Sequence, residues 1–111
     1  MELISIDDFK KLDIRTGKII KADDFPKAKK PAYQLTIDFG PLGVKRSSAQ
    51  LTKLYTKESL IDRTILAVVN FAPRKIADFE SEVLVLGIVT DDNAVVLLQP
   101  EGEITLGSSV S

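Results

Sequence analysis

The fold class that the sequence predicts is an all-β barrel of short strands, and three observations predict it. Residues 33–39 alternate strictly: Tyr33, Leu35, Ile37 and Phe39 fall on one side, Gln34, Thr36 and Asp38 on the other. That is the period-2 pattern of a strand with one buried face. Residues 64–71 form an apolar, β-branched run suited to a buried strand. Five or six such runs occur, with a single helix-like segment between the third and the fourth.

The elements follow in order. Ser5, with Asp8 three residues on, has the spacing of a helix capping pair and opens a short helix with Ile6 and Phe9 on one side. Residues 14–22 form the first strand, in which Gly17 marks a bulge or a sharp bend. Residues 32–39 are the second strand, Gly40-Pro41-Leu42-Gly43 a turn, and residues 44–51 the third strand. A short helix is predicted over residues 57–61 and a fourth strand over 64–71. Residues 82–90 and 94–99 form a hairpin around Asp91-Asp92-Asn93. Short strands with one helix after the third describe an OB-fold, a five-stranded barrel, here with an N-terminal helix and a C-terminal extension. Pattern alone leaves a sandwich or an SH3-like barrel open. All 111 residues are read as one domain, a length that buries one ordinary core.

Composition narrows the chemistry. There is no cysteine and no histidine, which removes disulfides, thiol chemistry, Cys/His zinc sites and histidine acid–base catalysis. No nucleophile elbow, phosphate-binding loop or dinucleotide fingerprint is present. A binding protein without catalysis and without a cofactor is therefore expected. The first residues lack the basic start and apolar middle of a secretory signal, so the expected compartment is the cytoplasm.

The formal net charge is −1, but it is unevenly distributed. All fifteen bases lie between Lys10 and Lys75, together with only six acids, and every residue charged after Lys75 is acidic. Such a chain can present a basic face, unless the two halves interleave in space and cancel. OB barrels bind on the face of strands two and three, between the loop after strand one and the loop after strand four. Here those loops are residues 21–31, with Lys27, Lys29 and Lys30, and residues 72–81, with Arg74 and Lys75; Lys45 and Arg46 lie between them on strand three. Phe25 and Phe79 would either plug the core beneath their loops or offer stacking surface in the cleft. Asn70 would reach the ligand or satisfy its own turn. A buried Glu82 would need a partner, Arg74 or Arg46. The same chemistry suits RNA phosphates and an extended polypeptide equally.

Four segments carry a resemblance: Asp13 to Ile19 (DIRTGKI), Asn70 to Ile76 (NFAPRKI), Ser81 to Leu86 (SEVLVL) and Val96 to Pro100 (VLLQP). In this order they resemble the tRNA-binding module found at the C-terminus of some methionyl-tRNA synthetases and in free-standing tRNA-binding proteins. Asp8-Phe9 before Lys11 to Arg15, and Ser47-Ser48-Ala49-Gln50, are similar to the CsaA branch of that family, described as export-related chaperones. The chain departs from the family where many modules carry a histidine and an acid after strand one; here Phe25 to Pro31 carry extra lysines.

The resemblance implies a non-catalytic homodimer whose partners are tRNA, unfolded or presecretory polypeptides, and the export machinery. It places Arg46, Ser48, Asn70, Arg74, Ser81 and Glu82 on the ligand face; with Lys18, Lys30, Gln50 and Lys75 they make up the expected tRNA- and peptide-binding set. Ile6, Phe9, Leu12 and Leu106 are expected at the dimer interface, because terminal additions to a barrel need another surface to cover. The alternative is that they pack across the open barrel ends.

Overall fold

The alternation over residues 33–39 is realised as one strand of a five-stranded antiparallel sheet that curls into a nearly closed barrel. The computed structural model describes all residues, Met1–Ser111. Strands β1 (Ile14–Asp24), β2 (Tyr33–Asp38), β3 (Val44–Ala49), β4 (Thr64–Val68) and β7 (Leu84–Val85) stand in the order β3-β2-β1-β4-β7. Helix α2 (Lys57–Leu60) lies between β3 and β4 as predicted; Thr56 caps it, and its Leu60 is fully buried in the barrel core. Around it lie Ile19, Leu35, Ile37, Phe39 and Ile65, all at 0% exposure. Leu35, Ile37 and Phe39 are inward positions that the alternation singled out, and Tyr33, the fourth, is half-buried. No helix is long and apolar enough to cross a membrane.

β1 serves two halves of the barrel. Its residues 14–18 pair with β4 and its residues 18–24 with β2. The register slips between Ile19 and Lys21, so the bulge falls at Ile20 and not at Gly17. The reason lies in hydrogen bonding: the Ile19 N–H donates to Arg63 O at 2.9 Å, and its carbonyl accepts from Asp62 N at 2.8 Å. Gly17 answers a packing need instead. A Cβ there would sit 2.6 Å from Cε1 of Phe39 and 2.7 Å from Cγ2 of Ile37.

Three further expectations are corrected. β4 ends at Val68 because the chain then turns to hold the N-terminal segment: Val69 N–H donates to Asp13 O. The predicted loop over residues 72–81 is a hairpin of β5 (Arg74–Ile76) and β6 (Phe79–Ser81), whose turn holds Ala77 at φ 55°. The predicted strand over residues 82–90 breaks at Leu86. Its first part, β7, belongs to the barrel; its second, β8 (Gly87–Val89), pairs outside it with β9 (Val95–Leu97) around the predicted turn.

The chain ends are treated differently. Residues 105–110 lie along the free edge of the first half of β1, with Thr16 N–H to Ser108 O at 3.0 Å and Val110 N–H to Ile14 O at 2.9 Å. The Arg15 guanidinium adds a bond to Gly107 O at 2.9 Å. At the other end, Ser5 and Asp8 form the predicted reciprocal cap of α1 (Ile6–Lys10), but α1 buries no residue. Leu3, Ile4 and Ile6 stand exposed; Phe9 and Leu106 are half-buried.

The barrel's last seam, between β3 and the segment entering β7, is closed largely by side chains. Glu82 N–H donates to Arg46 O at 2.8 Å, and Glu82 Oε1 accepts from Arg46 N–H at 3.0 Å. Ser81 Oγ accepts from Ser48 N–H at 3.0 Å, and the buried Ser47 hydroxyl donates to Val83 O at 2.9 Å. Ser47→Ala orphans the Val83 carbonyl inside the protein, so it should cost about 1–3 kcal/mol in urea denaturation. Gly17→Ala forces Phe39 and Ile37 to shift and should cost a similar ~1–3 kcal/mol, measured in the same way.

Candidate nucleic-acid interface

Strand pleat decides what the outer face of β3 presents. Ser47, Ala49 and Leu51 point inward and are buried, so Arg46, Ser48 and Gln50 lie on the opposite face. Two segments rise beside that face: the loop after β1 and the β5–β6 hairpin. Between them is a groove of about 660 Å³, lined among others by Lys27, Lys29, Lys30, Ser48, Gln50, Arg74 and Lys75. Lys29, Lys30, Arg74 and Lys75 make no ion pair with a protein carboxylate, whereas Lys27 pairs with Asp78 at 3.0 Å. The Lys27 hydrogen bond holds the Asp78 carboxyl below the usual carboxylate range. This pair therefore stays formed at neutral pH and is lost only as acid protonates Asp78.

Below the rim, Phe25 and Phe79 form a small second core with Ala32, their ring centroids 5.3 Å apart. Both are buried, so they are plugs and not free stacking surface. Phe79 nevertheless shapes the site. The Arg46 guanidinium lies over its ring at 4.5 Å and donates to Gln34 Oε1 at 3.3 Å. The arginine is thus held over the face of β2 and β3 without a carboxylate partner, its charge left for a ligand.

A second pocket of about 280 Å³ adjoins the groove, sharing Ser48, Arg74 and Ile76 with it. Its walls are Phe71, Ala72, Val83 and Leu84 with Ser81 and Glu82, and Phe71 and Leu84 are each 49% exposed. A third hollow continues from the groove through Lys30 and Gln50 toward Lys53 and the β8–β9 hairpin.

The expected residues divide clearly. Lys30, Ser48, Gln50, Arg74 and Lys75 line the groove; Ser81 and Glu82 line the adjoining pocket; Arg46 stands over Phe79. Lys18 is elsewhere, 4.0 Å from Asp62 in a separate hollow with Thr64 and Glu103. Asn70 has its amide committed: Nδ2 donates to Lys11 O at 2.7 Å and Oδ1 accepts from Asp13 N at 2.9 Å. These two bonds fasten the N-terminal segment. Glu82 is partnered by the backbone N–H of Arg46 and not by an arginine side chain.

Gln34, Phe71 and Leu84 were not expected at the site. Gln34 could have been found as the polar outward neighbour of Arg46 once β2 and β3 are paired with Gln34 opposite Ser48. Phe71 and Leu84 carry no such signal, since each looks like a core residue of a strand that in fact stops short of it or begins at it. The acidic C-terminal part does interleave partly with the bases: Asp78 meets Lys27, and Glu80 stands opposite Lys75 in the hairpin.

Comparison with known proteins agrees with this geometry. The family model described as "Putative tRNA binding domain" matches residues 14–109. The crystal structure of the chaperone CsaA from Bacillus anthracis str. Ames superposes with a TM-score of 0.95 at 50% identity, covering 99% of this chain and 100% of that one. That of the CsaA chaperone protein from Picrophilus torridus gives 0.92 at 51% identity, covering 98% and 100%. The methionine–tRNA ligase of Thermococcus onnurineus is 36% identical over 110 residues, which are 99% of this chain but 15% of the ligase. Along nearly its whole length the chain is similar to the two CsaA chaperones, and it belongs to the tRNA binding domain family.

Proposed function

We propose that residues 1–111 act as one binding module that holds tRNA in the groove along β3, without catalysis. The observation that carries this reading is the groove itself. In a chain of net charge −1, four cations free of carboxylate partners, Lys29, Lys30, Arg74 and Lys75, line one hollow. Phosphate is the ligand such a hollow favours, because each neutralised phosphate releases condensed counterions. Arg46, Ser48 and Gln50 add a planar cation and neutral hydrogen-bonding groups on the same face.

A second role has its own support. Phe71 and Leu84 stand exposed beside Ser48, Ser81 and Glu82, a mixture of apolar and polar groups that suits an extended polypeptide. The whole-length likeness to chaperones points the same way. The chain would hold unfolded or presecretory proteins in the cytoplasm and deliver them toward export. It would act as a homodimer, since Leu3, Ile4 and Ile6 form an apolar arm that its own barrel leaves uncovered.

Fluorescence anisotropy with labelled tRNA across a salt series tests the first role. Binding should weaken steeply with salt, and Arg74→Ala or Lys75→Ala should each lower the log–log slope by about 0.7–0.9. A flat salt response in the wild type would rule the groove out as a phosphate site. Adding an unfolded precursor to the same complex tests the second: displacement of tRNA means one shared groove, and failure to suppress aggregation of that client ends the chaperone role. Ile4→Asp with Ile6→Asp should turn a dimer into a monomer in sedimentation equilibrium; an unchanged mass would remove the arm from the interface.

A further inference from the structure

The pocket beside Glu82 differs in kind from the groove it adjoins. The groove is lined by four lysines and Arg74; the pocket shares Arg74 with it but has no lysine, and adds an aromatic ring, aliphatic walls and one carboxylate. A carboxylate next to a phosphate track is unfavourable unless it accepts a hydrogen bond from the ligand. Glu82 has one oxygen to give. Oε1 accepts the Arg46 N–H, while Oε2 makes no hydrogen bond and no ion pair with the protein. Phe71, half exposed on the same pocket, offers a face on which an unstacked base can lie.

We propose that this pocket receives one splayed-out nucleobase and selects cytosine over uracil through the free oxygen of Glu82. The inference rests on the RNA-binding reading above and deepens it. The two pyrimidines have the same size and stack alike, so packing cannot separate them. They differ where it matters: cytosine presents an N4 amino donor at the position where uracil presents the O4 acceptor. A carboxylate oxygen receives the first and repels the second. Shape and phosphate contacts would then position the RNA, and one unpaired nucleotide of a loop or end would be read.

Glu82 also closes the barrel, and a single substitution separates its two duties. Glu82→Gln keeps a carbonyl oxygen for the Arg46 N–H and replaces the free acceptor by an amide donor. The experiment is anisotropy with short single-stranded oligo(rC) and oligo(rU) at one fixed salt, on the full chain. The wild type should bind oligo(rC) about tenfold more tightly. Glu82→Gln should erase or reverse that ratio, whereas Phe71→Ala should weaken both oligomers and leave the ratio in place. Equal wild-type affinities, with salt-dependent tRNA binding intact, would overturn the base pocket alone. Loss of all binding to tRNA and both oligomers in the wild type would overturn the RNA reading with it. If tRNA binds, the oligomers do not, and an aromatic peptide competes in a Phe71-dependent way, the pocket belongs to polypeptide and the proposal falls. Should Glu82→Gln not fold, the wild-type ratio and Phe71→Ala still decide.

Discussion

The structure depends on one seam. A five-stranded sheet of this length leaves β3 with an unpaired edge, and an open edge exposes backbone donors and acceptors to any passing strand. The seam could have been closed by a full backbone ladder, but β7 is too short to supply one. Side chains substitute for it: Ser81 and Glu82 take the Ser48 and Arg46 N–H groups, and Ser47 reaches across to Val83. Everything near the site follows. Because Ser47 is used inward, Arg46 and Ser48 are outward. Because Ser81 and Glu82 must reach β3, the β5–β6 hairpin is anchored beside it, and Arg74 and Lys75 are carried to the rim. The polar pair that seals the barrel is also the floor of the pocket, so fold stability and ligand chemistry are not independent here.

Electrostatics within the site are a matter of placement and not of total charge. The chain is nearly neutral, and Asp78, Glu80 and Glu82 stand beside the bases of the site. Asp78 removes one lysine from play and ties the loop after β1 to the hairpin; both partners are exposed, so the tie adds little stability and mainly sets loop geometry. Arg46 is the opposite case. Its guanidinium is held by an aromatic face and a neutral amide, which fix its direction without discharging it. A site with oriented but unneutralised cations attracts polyanions at short range even when the molecule as a whole does not.

Much of this was legible in the sequence, and the failures have physical causes. The β2 alternation, the Ser5 cap and the helix after β3 were readable because each is a local pattern with one dominant interpretation. The convergence of Lys30, Arg74 and Lys75 was readable because it needs only the strand order of an OB barrel. The bonds of Asn70 to Lys11 and Asp13 were not legible because those partners lie 59 and 57 residues away. Gly17 suggested a bulge, but a glycine records only that a side chain is unwelcome, not whether backbone or packing forbids it. Phe25 and Phe79 looked alike whether buried or exposed, since apolarity serves both ends. The break at Leu86 is marked only by Gly87, and a glycine there is equally explained by packing, since a Cβ would collide with Cγ1 of Val95.

The segment of residues 105–110, bridged to β1 at Ser109, carries a consequence for how the barrel assembles. β1 meets β2 and β4 through modest sequence separations, but its remaining edge closes only with a segment 92 residues further along the chain. Contacts of such separation form late, because their loop-closure entropy is repaid only after the intervening structure exists. During synthesis the first half of β1 therefore waits, one edge bare, until nearly every later element has emerged. In the finished protein three backbone hydrogen bonds fasten that segment to β1, and any local opening there would bare the same edge again.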